Sequence, residues 1–232
     1  MSDVKISLEG LSVMIGVPAG RDIHPFTTRS LMYTQRVLAQ VKIPHEPVLV
    51  ANCSVVQWAR DEVADVFLKS GYKRLFWIDS DMTWEPDDFM RLLALSQVYD
   101  VVCATYPAKI DSPVTFYVNR EPDKDMVANE HGLFEVLGVG LGFTIVSRKA
   151  MEAIAARSPV VWDEAAQREI REIFRVQSIM KNGRRTRSGE DMAFFTDLRE
   201  EGFKVWLDPQ VDLGHMGMKK YTGSVRDALQ LT

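Results

Sequence analysis

The 232-residue chain predicts an α/β fold, with a mixed but mostly parallel central sheet flanked by helices. Three observations carry that expectation. Short apolar runs alternate with helix-length amphipathic stretches through the first half, the pattern of strands joined by crossover helices. The apolar run from Leu75 to Ile78 ends in Asp79-Ser80-Asp81, an acidic tip at a strand's carboxyl end, where open α/β sheets hold ligands. After Tyr106 the alternation gives way to strand-like runs separated by polar loops, so the second half adds strands of mixed direction.

The elements follow in order. Ser12 to Val17 reads as a buried strand that runs into Pro18 and Gly20, and Leu31, Val37, Leu38 and Val41 then recur at helical spacing. Val48 to Val50 is a second strand. Asn52 or Ser54 is the expected cap of a helix carrying Val56, Val63, Val66 and Phe67, which Gly71 stops. Past the acidic tip, Pro86 suits a first helical turn, with Asp87 and Asp88 at the favourable end of the dipole and Phe89, Leu92 and Leu93 facing inward. Val101 to Ala104 closes the first half as a strand.

In the second half, Val114 to Val118, Leu133 to Leu137 and Phe143 to Val146 are strand-like, the last following Gly138, Gly140 and Gly142. Ser147 is placed to cap a short helix through Met151 and Ile154. A charged stretch, Asp163 to Arg175, carries Ile170, Ile173 and Phe174. A last helix spans Gly189 to Gly202, and Val205 to Leu207 is a final strand. The chain is expected to form one domain, with residues 1–105 as a nucleotide-binding half and 106–232 completing an acceptor and metal site.

Composition narrows the function. At 26.3 kDa, 46% hydrophobic and 26% charged, the chain is globular and should bury roughly 70% of its unfolded surface. With 28 basic against 32 acidic residues and a net charge of −4, no broad cationic face is available to wrap nucleic acid. No run of eighteen apolar residues is present to span a bilayer, and the N-terminal stretch, with Asp3, is not a secretory signal. Cys53 and Cys103 lack metal-ligand or disulfide spacing and read as buried thiols of a cytoplasmic protein.

Chemistry concentrates at three places. On an extended backbone Asp79 and Asp81 fall on one side, and two converging carboxylates repel unless a cation intervenes. A hard divalent ion, Mn²⁺ or Mg²⁺, resolves that repulsion together with phosphate oxygens. Ser188-Gly189-Glu190-Asp191 opens the last helix; Ser188 and Asp191 have capping-box spacing, and a carboxylate there also suits a general base once it is desolvated. His215 follows the last strand between Gly214 and Gly217 and precedes Lys219 and Lys220, so its imidazole suits a metal shell begun by Asp81 and the lysines suit phosphate.

These points together resemble the glycosyltransferases of the GT-A fold, of the family 2-like kind, over most of the chain from about Val13 to His215. The resemblance implies a transferase that moves a sugar from a UDP- or GDP-sugar donor to a hydroxyl acceptor. Asp81 would be the direct metal ligand, Asp79 would contact ribose or metal-bound water, and His215 would be a third ligand. Asp191, beside Glu190, would be the acceptor base. Pro18 and Arg60 match places that hold base and ribose. The basic segment from Lys181 to Arg187 is expected to be a loop that closes over the diphosphate. A homo-oligomer is compatible with all of this. Two alternatives stand beside it. Asp79-Ser80-Asp81-Met82-Thr83 also satisfies the opening motif of haloacid dehalogenase-type phosphatases, with Asp79 as nucleophile. A protein that binds a nucleotide-sugar without turning it over is the other.

Overall fold

The computed structural model describes residues 7–229 except 123, 165 and 182, and not the side chain of residue 181. Its first half runs β1 (Val13–Pro18), α1 (Pro25–Gln40), β2 (His45–Val50), α2 (Val56–Lys69), β3 (Arg74–Ile78), β4 (Met82–Thr83), α3 (Pro86–Leu95) and β5 (Val101–Cys103). The second half runs β6 (Phe134–Val136), β7 (Phe143–Ser147), α4 (Arg148–Arg157), β8 (Val160–Asp163), β9 (Arg168–Arg171), β10 (Gln177–Lys181) and β11 (Arg184–Ser188). It ends with α5 (Glu190–Glu200), β12 (Val205–Leu207), β13 (Gly214–Met216), β14 (Lys220–Tyr221) and α6 (Val225–Ala228).

The central sheet has the order β2-β1-β3-β7-β5-β12-β6. Strands β2, β1, β3, β5 and β12 run one way, and β7 and β6 run the other. The expected mixed, mostly parallel sheet is therefore present, and both halves of the chain contribute to it. The apolar runs of β1, β3, β5 and β7 are continuous because these strands are buried on both faces. Along β1, Val13 and Ile15 enter one core with α1 and α3, while Met14 enters the other with α2, α4 and α5. Phe76 and Ile78 against Leu75 and Trp77 repeat that division on β3.

Four local expectations are corrected. Strand β3 stops at Ile78, and a turn closed by the Met82 amide donating to the Asp79 carbonyl at 3.2 Å replaces the extended backbone expected through Asp81. Neither Asn52 nor Ser54 caps α2; its cap position is Val55, with no side-chain bond. Val114 to Val118 forms only an isolated bridge, Pro107 with Phe116, instead of a strand. The basic segment expected as a loop falls largely within the antiparallel β10–β11 pair, although Asn182 lies outside the described residues. Among smaller points, Ser147 caps α4 as expected, accepting from the Ala150 amide. The α5 cap is Gly189, so Ser188 and Asp191 form no capping box. Cys103 is buried and Cys53 only half-buried.

One buried carboxylate ties the second half to the first. Asp61, on α2 beside Arg60, is 4% exposed and accepts the amides of Ile173 and Phe174, both at 2.9 Å. Burial pushes its pKa up to about 7, against the opposing pull of those two amides. A folded pKa above the unfolded one gives a contribution that is intact in acid and fades as pH rises toward 7. Between pH 5 and pH 8 the parent should lose on the order of 2 kcal/mol of stability through this group. Urea unfolding of Asp61→Asn across that range should show a flatter dependence, and an unchanged slope would refute the assignment.

Candidate active site

The carboxyl end of β3 delivers Asp79, and its neighbour β7 shapes the space around it. The β3–β7 register pairs Ile78 with Phe143, and the Asp79 amide donates to the Gly142 carbonyl at 3.0 Å. A Cβ on Gly142 would overlap the Asp79 carboxylate, and one on Gly140 would overlap the Tyr106 hydroxyl. The glycine cluster therefore leaves room for two polar side chains to converge.

Arg60 rises from α2 into that space and is 3% exposed. Its Nη2 donates to Asp79 Oδ1 at 3.1 Å and its Nη1 donates to Asp191 Oδ1, while its Nε is buried without a partner. Tyr106 donates its hydroxyl to Asp79 Oδ2 at 3.3 Å. Burial first, and then the charges of Asp79 and Asp191, hold the Tyr106 phenol well above its ordinary pKa, so it serves as a neutral donor. Asp191 sits in the first turn of α5. Burial raises its pKa above the usual carboxylate range despite the Arg60 guanidinium, with Asp79 adding to the rise. One buried cation thus bridges two carboxylates separated by 112 positions in the chain, as their numbers show.

A second cluster lies beside it, linked through the edge-on contact of the Tyr106 and His215 rings, whose centroids are 4.8 Å apart. Asp81, after the turn, has Oδ1 3.5 Å from His215 Nε2, and its Oδ2 accepts from Lys109 Nζ. Pairing of β4 with β13, Met82 opposite His215, makes this meeting. His215 Nδ1 faces the Pro107 carbonyl at 2.9 Å, which assigns a proton to Nδ1 and turns Nε2 toward the carboxylate. There Nε2 meets Asp81 either as an N–H donor or, unprotonated, as a lone pair that needs a cation between it and the carboxylate. Burial would raise the Asp81 pKa, but the hydrogen bonds from His215 and Lys109 outweigh it and the carboxyl sits below its usual range.

The other expected residues are distributed as follows. Pro18 ends β1; the β1–β3 register, Gly16 opposite Trp77, brings it level with Asp79 when carried two residues on. Glu190 stands at the first position of α5 and makes no side-chain hydrogen bond or ion pair among the described residues. Arg60, expected to meet base and ribose, has both terminal nitrogens committed to carboxylates. Lys219 pairs with Asp111 at 2.5 Å. Lys220 sits opposite Met216 while Tyr221 sits opposite His215, so alternation puts Lys220 on the face of the strand pair away from His215. The lysine at the acidic tip is Lys109, which the sequence reading missed, as it missed Tyr106. Both lie just past β5, another strand that ends at the same sheet edge, and that was the available signal.

Among the described residues no group of three or more His, Cys, Asp or Glu side chains is arranged to hold a metal ion. Asp81 and His215 offer two ligand atoms, the number expected where a substrate's phosphates complete the shell.

No protein-family model matches the chain, and no curated protein sequence matches it. Solved structures do. The A197 protein from STIV is 21% identical, with a TM-score of 0.58 over 92% of this chain and 90% of that one. GalNAc-T7, solved with UDP, GalNAc and Mn²⁺, is 9% identical, with a TM-score of 0.51 over 90% of this chain and 44% of that one. The chain spans less than half of the latter's length. At these identities the likeness concerns the fold, and the fold is of the GT-A type found in glycosyltransferases.

Proposed function

We propose that this protein is a metal-dependent glycosyltransferase that moves a sugar from a UDP- or GDP-sugar to a hydroxyl acceptor. The observation that carries the reading is the meeting of Asp81 Oδ1 with His215 Nε2 at 3.5 Å, 134 positions apart in the chain by their numbers, beside the Asp79–Arg60–Asp191 bridge. The fold shared with GalNAc-T7, itself solved with UDP and Mn²⁺, supports the nucleotide-sugar class and a divalent cation.

Asp81 and His215 would hold Mn²⁺ or Mg²⁺, which supplies charge stabilisation to a leaving diphosphate. Lys109, half-exposed and on Asp81, would supply a second positive group for the phosphates beside that dication. Asp191 accepts the proton of the acceptor hydroxyl. Its raised pKa makes it a stronger base than a solvated carboxylate, and Arg60 fixes its position. Pro18 and the neighbouring end of β1 border the donor, and Glu190 borders the acceptor. The phosphatase alternative fits less well, because the Arg60 cation on Asp79 Oδ1 and the Tyr106 hydroxyl on Oδ2 draw charge from the carboxylate that would have to attack phosphorus.

Calorimetry with UDP and GDP, with and without Mn²⁺, tests the donor site. Binding should require the metal and weaken at least tenfold in Asp81→Ala and in His215→Ala; metal-independent binding would refute the reading. Asp191→Asn should retain donor binding while kcat falls roughly 10²–10⁴-fold. If kcat persists, Asp191 is not the base, and binding without any turnover in the parent would favour a non-catalytic nucleotide-sugar protein. Activity should fail on the acid side as Asp191 protonates, and Arg60→Met, by removing a cation, should move that limb to higher pH; a shift in the opposite direction would sink the pairing argument.

A further inference from the structure

A cavity of about 470 Å³ lies behind the acidic tip, between α1 and the sheet β14-β13-β4. It includes neither Asp81 nor His215. Its floor is Gly214, paired with Thr83 across β13 and β4. A Cβ at Gly214 would overlap both the Thr83 hydroxyl and the end of the Lys220 side chain, so those two groups converge over bare backbone. Thr83 is 7% exposed and its Oγ1 has no hydrogen-bond partner. A buried hydroxyl left unpaired costs roughly 1–3 kcal/mol, which a ligand oxygen would recover.

The charges around this hydroxyl are unbalanced. Lys220 and Arg29 line the cavity and form no ion pair among the described residues; Arg29 lies over the Phe26 and Tyr33 rings instead. Of the two carboxylates that line it, Asp212 accepts from Arg226 at 3.0 Å, and Glu85 stands at the N-cap position of α3. Arg226 offsets Asp212, while Glu85 has no cation partner among the described residues, so the lining carries one net positive charge. The volume far exceeds a bare oxyanion and falls in the range of small-molecule sites. Phe26, half exposed and flanked by the His24 ring and the Arg29 guanidinium, offers an apolar edge, and Thr222 offers a further hydroxyl.

We propose that this cavity binds a small phosphorylated sugar, with its phosphate on Lys220, Arg29 and the Thr83 hydroxyl and its sugar body against Phe26. The site is distinct from the donor crevice, and the two are separated by one layer of short strands: Lys220 and His215 occupy opposite faces of the β13–β14 pair. The inference stands without the transferase reading, so its test omits nucleotide and metal.

Titration calorimetry in a phosphate-free, metal-free buffer should compare glucose 6-phosphate, inorganic phosphate and glucose. Glucose 6-phosphate should bind saturably, inorganic phosphate about tenfold or more weakly, and glucose not at all. Lys220→Met should weaken the sugar phosphate about tenfold, the worth of one charge-assisted hydrogen bond, and the near-isosteric Thr83→Val should weaken it severalfold, neither with a lowered melting temperature. Should Lys220→Met not fold, Thr83→Val decides. Absent saturation with glucose 6-phosphate, or equal affinity in parent and folded variants, overturns the site. Equal affinity for inorganic phosphate and glucose 6-phosphate overturns the sugar assignment.

Discussion

The architecture of the candidate site depends on burying one guanidinium. A charge removed from water is costly unless it is paired and hydrogen-bonded, and Arg60 at 3% exposure meets that condition only because Asp79 and Asp191 arrive from different elements. Helix α2 supplies the cation, the end of β3 supplies one carboxylate and the start of α5 the other. Each element is fixed by its own apolar face, on β3 by Leu75 and Trp77 and on α5 by Phe194, Phe195 and Leu198. Packing brings the three together, and electrostatics makes any other arrangement expensive.

That brace has consequences for the groups around it. It leaves one net negative charge shared by two carboxylates, and burial then lifts Asp191 toward the range where a carboxylate takes a proton readily. The same crowding requires glycine at Gly142 and Gly140, where any side chain would strike Asp79 or Tyr106. Tyr106 in turn stacks edge-on against His215 and joins the brace to the Asp81 cluster. The two aspartates of the tip therefore serve different neighbours: Asp79 is drawn inward to a protein cation, and Asp81 is turned outward to an imidazole and a half-exposed lysine.

The distinction was not legible in the sequence, and the reason is local. An extended backbone would have put both carboxylates on one side, but the amide of Met82 finds its acceptor in the Asp79 carbonyl and the chain turns. Propensity and spacing describe side-chain direction only while the strand continues. The same limit explains the lysines. Lys219 and Lys220 follow His215 closely in sequence, yet antiparallel pairing sends Lys220 to the opposite face, while Lys109 comes from a loop more than a hundred positions earlier. Helix caps were misread at α2 and α5 where the polar side chains had other work or no position to reach the turn, as Asp191 does with Arg60.

The sequence by itself determined the alternation of buried strands and helices, the acidic tip at a strand end, and the candidacy of Glu190, Asp191 and His215, because hydrophobic period and residue chemistry are local properties. It also determined that both sheet faces are covered, since runs such as Leu75 to Ile78 leave no polar side. Only the tertiary structure decided that β7 enters antiparallel between β3 and β5, that Arg60 is a brace between carboxylates, and that Asp81 meets His215. Those outcomes depend on contacts between residues far apart in the chain. Their energies come from desolvation and charge pairing, which exist only after the elements have packed.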